Sequence, residues 1–137
     1  MNGSFFDFSR EIAGGSTWGT WEPEDGAFDF SVLEKVLRAA QAHSVAVIVG
    51  TPTCAIPPWL AQKYPDILAE THDGRRRYGA RQNFDLTHPG YLFHAGRMIR
   101  KLMEAVQPYS CVIGFQLDNE TKMTPAAPVC RRVSGST

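Results

Sequence analysis

An excess charge of either sign is missing from this sequence: 14 Lys and Arg balance 14 Asp and Glu over 137 residues. A chain without net charge has no long-range pull toward nucleic acid or anionic lipid. Its one basic cluster, Arg75-Arg76-Arg77, follows the turn signal Asp73-Gly74 and reads as a solvated loop. Cysteine is scarce as well. Cys54, Cys111 and Cys130 form no C-x-x-C pair and leave an odd thiol, which argues against a disulfide framework and a zinc ribbon. No apolar run approaches the roughly 20 residues that span a bilayer, so no membrane partner is expected. The N-terminal stretch MNGSFFDFSREIAGG lacks the basic and apolar regions of a secretory signal, and a cytoplasmic location is the expectation. Glycine-rich nucleotide motifs and the G-x-S-x-G elbow are absent too, which weakens nucleotide-binding and serine-hydrolase readings.

What is present is a pair of helix-to-strand units. In FDFSVLEKVLRAAQAHS, Ser31 and Glu34 have capping-box spacing, and Val32, Leu33, Val36, Leu37 and Ala40 recur on one helical face. The run VAVIVG, residues 45–50, is apolar, β-branched and too short for a helix. The second unit repeats the plan. Thr87 is placed to cap a helix with Pro89 in its first turn, and Leu92, Ala95, Ile99, Leu102 and Val106 form its inner stripe. Pro108 closes it, and CVIGFQL reads as the next strand, buried on both faces. The expected fold class is α/β with a parallel sheet.

Between the units, residues 51–86 form a long irregular stretch with one short helix begun by Pro57-Pro58. Loops this long inside a compact domain are usually functional. The first dozen residues have no period that places them. Residues 125–137, rich in Pro, Ala, Ser and Gly, read as a disordered tail.

The strand CVIGFQL runs into Asp118, Asn119 and Glu120. An ordinary polar loop explains that run, and so does a site: a carboxylate at the end of a buried strand is held rigidly and partly dry. Glycosidic bonds are usually cut by two carboxyl groups, one protonated to release the leaving oxygen. Glu120 suits that acid, with Asn119 beside it for a sugar hydroxyl. Trp18, Trp21 and Trp59 lie in or near expected loops, either as stacking platforms for a sugar ring or as core residues. Arg81 offers a fork of N–H donors, or a plain surface charge. The four histidines are scattered without metal-ligand spacing.

Four stretches together resemble glycoside hydrolase family 42, β-galactosidases built on a (β/α)8 barrel: STWGTWEPEDGAFDFSVLEKVL, VIVGTPTCAIPPWLAQKYPDIL, DGRRRYGARQNFD and VIGFQLDNETK. The resemblance runs from about Ser16 to Lys122, and residues 16–124 are expected to form a partial TIM barrel, roughly strands two to four with their helices. It implies retaining hydrolysis of terminal β-D-galactosides, with Glu120 as acid/base and Asn119 and Arg81 as substrate contacts. Trp18 and Trp59, from their expected places near loops, remain the candidate sugar platforms. It calls for no cofactor, and the parent family often forms homo-oligomers. Asp85 stands where some members have a zinc-binding cysteine, so no metal site carries over. Gly15 replaces a usual acidic residue.

A complete barrel needs about 250 residues. No Asp or Glu follows Glu120, where the family's nucleophile is expected. The expectation is therefore a fragment, inactive alone, with residues 1–15 an altered leader and a tail changed by truncation or a shifted reading frame. The alternative is a non-catalytic carbohydrate-binding or interaction remnant. A glucanase or mannanase sharing the Asn-Glu strand fits less of the chain.

Overall fold

The structure is a computed structural model that describes residues 5–7, 17–70, 74, 78–79 and 83–117. Three strands lie side by side in one parallel sheet, in the order β1 (Phe5–Asp7), β2 (Ala46–Gly50), β3 (Val112–Gln116). Parallel neighbours need crossovers, and here these carry helices. Between β1 and β2 lie α1 (Trp18–Trp21) and α2 (Ser31–Ala42), while α3 (Pro58–Lys63) and α4 (Pro89–Val106) separate β2 from β3. The α/β parallel class is as expected. The sheet also gains a strand where none was legible, because Phe5, Phe6 and Asp7 pair in register with Ala46, Val47 and Ile48.

Local chemistry explains the helix starts, with two corrections. Ser31 is the first residue of α2 and makes no side-chain cap. Asp29 does that work, its carboxylate accepting from the Ser31 N–H at 2.9 Å. At α4 the cap is His88, whose Nδ1 accepts from the Gly90 N–H at 3.0 Å, while Thr87 turns back to Asp85. An acceptor at this position satisfies one of the orphan donors of the first turn. Gly90 is required there, because a Cβ would stand 2.9 Å from the Tyr64 ring.

The stripes are rotated relative to the expectation. Leu33 and Leu37 are fully buried on α2, but Val32 is exposed. On α4 the inner face is Tyr91, His94, Ala95, Met98, Leu102 and Val106, and Leu92 is 58% exposed. The helices pack on Val47 and Val49 of β2, both fully buried. Burying each of these large side chains contributes about 1.5–3 kcal/mol. β3 departs from a strand covered on both faces: Ile113 is 56% exposed, beside a register shift in its pairing with β2. An antiparallel bridge joins Leu68 to Phe84, and the helix expected after Pro57 is present as α3.

Candidate active site

Because the strands are parallel, Asp7, Gly50 and Gln116 all end on the same edge of the sheet. The next residues are stitched together there. The Thr51 N–H donates to the Gln116 carbonyl at 2.9 Å, carrying the sheet pairing one residue beyond β2. The Thr51 and Thr53 hydroxyls lie 3.2 Å apart, both buried. The Tyr91 hydroxyl donates to the Thr53 carbonyl at 3.2 Å, so the exit turn of β2 is tied down to α4. The run containing Asn119 and Glu120 begins two residues beyond Gln116. Arg81, Asn119 and Glu120 themselves lie outside the described residues, as does the tail from residue 125.

Both tryptophans expected to meet sugar are placed, and neither stands in a loop. Trp18 is in α1 and 0% exposed; its indole N–H donates to the Glu22 carboxylate at 2.8 Å and its ring lies 6.1 Å from that of Tyr91. A ring with no exposed face has none to offer a sugar in this arrangement, so Trp18 is a core residue here. Trp59 is half-buried in α3. Its N–H donates to the Glu22 backbone carbonyl at 2.8 Å, and the Arg97 guanidinium lies over its ring, 6.0 Å from the centroid. Trp21 is buried against Phe30 in the same way.

Those contacts lead to a polar centre that sequence reasoning missed. Glu22 is fully buried and its carboxylate accepts from Trp18, from the Gly26 N–H at 2.9 Å, and from Arg97. Gly26 has φ of +84°, a left-handed conformation natural to glycine, and it bends the turn so that its N–H reaches back to Glu22. Asp25 accepts from Arg97 at 2.7 Å and from Lys63. Hydrogen bonds from Lys63 and then Arg97 hold the Asp25 carboxyl at about 2, against an ordinary 3.8. The Arg97 guanidinium also lies over Phe28, 5.5 Å from its centroid. Three segments are thereby latched: the turn after α1, α3 and α4. The only local hint is the acidic run EPED before Gly26, since the partners Glu22 and Arg97 are 75 residues apart.

His94 sits against this latch, 2% exposed, and burial followed by the nearby Arg97 charge lowers its pKa below the ordinary 6.5. Among the described residues, no group of three or more His, Cys, Asp and Glu side chains is arranged to hold a metal ion, and no helix is long and apolar enough to cross a membrane.

The family profile for the β-galactosidases of glycoside hydrolase family 42 matches residues 11–135. This chain belongs to that family. The match passes beyond both Ser16 and Lys122, so the likeness does not stop at the DNETK stretch. Among family relatives, β-galactosidase BgaA of a Thermus species is 36% identical over 104 residues, which cover 75% of this chain and 16% of BgaA. β-Galactosidase BglY of Alicyclobacillus acidocaldarius is 35% identical over 116 residues, 84% of this chain and 17% of BglY. A catalytic mutant of Gan42B, a family 42 β-galactosidase from G. stearothermophilus, superposes with a TM-score of 0.73 at 29% identity, over 85% of this chain and 16% of that one. The chain thus spans about one sixth of the length of these relatives, and the parallel strands and α-helices of its described residues are consistent with part of a larger barrel.

Proposed function

We propose that this chain carries the acid/base part of a retaining β-galactosidase site, at the carboxyl edge of its parallel sheet. The observation that carries this reading is the Thr51–Gln116 bond at that edge, with Asn119 and Glu120 following in a stretch that matches the family. In barrels of this kind the chemistry sits at the carboxyl ends of the strands. Glu120 protonates the leaving oxygen, then activates water against a glycosyl-enzyme intermediate. Asn119 and Arg81 hold substrate hydroxyls. The attacking carboxylate has to stand about 5–5.5 Å from Glu120, and residues 121–137 contain no Asp or Glu, so it comes from elsewhere in the assembled barrel. Trp18 is left out of the contact set, its ring being wholly covered. Trp59 is assigned to the latch, which holds the segment leaving the carboxyl end of β2.

The test is a chimera that places residues 16–122 in a complete family 42 enzyme. There, Glu120→Gln is expected to slow hydrolysis of galactosides with poor leaving groups by about 10²–10⁴-fold. Substrates with activated leaving groups need little protonation and lose far less in the first step. Equal loss on both kinds overturns the assignment.

A further inference from the structure

His94 is a fully enclosed base. Among the described residues neither ring nitrogen has a hydrogen-bond partner. Its ring is boxed by those of Phe93, Trp59 and Tyr64, at centroid distances of 5.0, 5.2 and 5.9 Å. Buried polar groups are normally paired, so an unpaired one needs a reason.

The charges around it supply one. From the turn after α1 come Glu22 and Asp25; from α3 comes Lys63, followed at its end by the Tyr64 ring; from α4 comes Arg97. Two anions face two cations, so the latch is neutral only while His94 is neutral. The carboxylate oxygen nearest His94 is Asp25 Oδ1, 3.9 Å from its Nδ1. That same oxygen accepts from Arg97 at 2.7 Å. A shift of about 1 Å brings it within hydrogen-bond reach of the ring, at the expense of the bond to Arg97.

We propose that His94 is an acid-operated release for this latch, drawing Asp25 away from Arg97 when the ring takes up a proton. The added charge is costly in a dry aromatic box unless it is paired, and Asp25 is the partner within range. Arg97 and Lys63 then lose a shared carboxylate while a third cation stands beside them. The Asp25 arm of the latch is thereby released from Arg97, while Glu22 keeps its own bond to Arg97 and carries the strain to the seat of the Trp59 indole on its carbonyl.

The direction of the pH dependence follows from burial. His94 is harder to protonate folded than unfolded, so the unfolded chain binds more protons in this range. The stability that neutral His94 contributes is present above the unfolded value of about 6.5 and is lost as pH falls through it toward the folded value.

The experiment is an imidazole nitrogen NMR titration of the chain from about pH 8 to about 4.5, following the Trp59 indole N–H and the Lys63 and Arg97 side chains alongside. Expected is a His94 midpoint below 6.5, with the three reporters moving at that same midpoint. In His94→Phe, whose ring suits the aromatic box, the shared transition should vanish. In Asp25→Asn, His94 should still titrate, but Arg97 should no longer follow it. A His94 midpoint above 6.5, a ring that stays neutral throughout, or reporters that still move together in His94→Phe would each overturn the proposal. No galactosidase activity enters the measurement, so it stands or falls apart from the role of Glu120.

Discussion

Two parts of the sheet region are built from the same kind of residue and end in opposite environments. In one, Val47 and Val49 meet Leu33 and Leu37 of α2 and Leu102 and Val106 of α4, and all six are buried. Behind this layer the buried Glu22 is paired with Arg97. Away from it, Ile113 and Leu117 are open to solvent. An apolar strand is therefore not a buried strand until something lies on it, and the covered layer should carry nearly all the stability.

The strongest break of that contrast is Glu22→Ala. It removes the acceptor for Trp18, Gly26 and Arg97 at once and leaves a guanidinium facing Asp25 alone. Breaking a buried ion pair from one side costs about 3–5 kcal/mol. Urea unfolding should show that loss, and Glu22→Gln, which keeps the shape and an acceptor oxygen, should lose clearly less. A loss below about 1 kcal/mol, the range of exposed pairs, would mean that the latch does not hold the three segments.

Leu37→Ala comes next. The side chain is fully buried between α2 and the sheet, and such truncations cost about 2–5 kcal/mol through lost transfer energy and the cavity left behind. Tyr91→Phe is smaller. It keeps the ring against Trp18 and Phe84 and deletes only the hydroxyl bonded to the Thr53 carbonyl. About 1 kcal/mol is expected, with amide shifts centred on residues 51–54 at the carboxyl edge. Shifts confined to α4 would show that the exit turn of β2 is held by other contacts.

Legibility in the sequence follows the range of the physics involved. β2, α3 and the body of α4 were readable because an apolar run, a proline start and a helical stripe are local patterns. β1 was not, because Phe5–Asp7 is too short to show a period and is a strand only by pairing with residues 41 positions on. Leu92 was misplaced because the true stripe on α4 passes through Tyr91 and His94, residues that do not look apolar. The Glu22 centre was invisible for a similar reason: its donors come from separate segments, and only folding brings Arg97 to Glu22. The candidate site stands differently. Glu120, Asn119 and Arg81 lie outside the described residues; the structure describes the strand end that precedes Asn119 and Glu120.

Ile113→Thr is the mildest change and the sharpest test of the contrast. Ile113 is the residue passed over at the register shift, where Val47 pairs with Val112 and Ile48 with Gly114. Its side chain is more exposed than covered, so exchanging a β-branched apolar group for a β-branched polar one removes little from the core and keeps the strand preference. Surface substitutions of this sort fall within about 0.5 kcal/mol, and an equilibrium unfolding curve should scarcely move. The same change should lower self-association in concentration-dependent sedimentation, since exposed apolar strand surface favours association. If Ile113→Thr instead cost as much as Leu37→Ala, the exposed patch at Ile113 would be covered in solution by something that binds it, and it would match the covered layer in holding the fold.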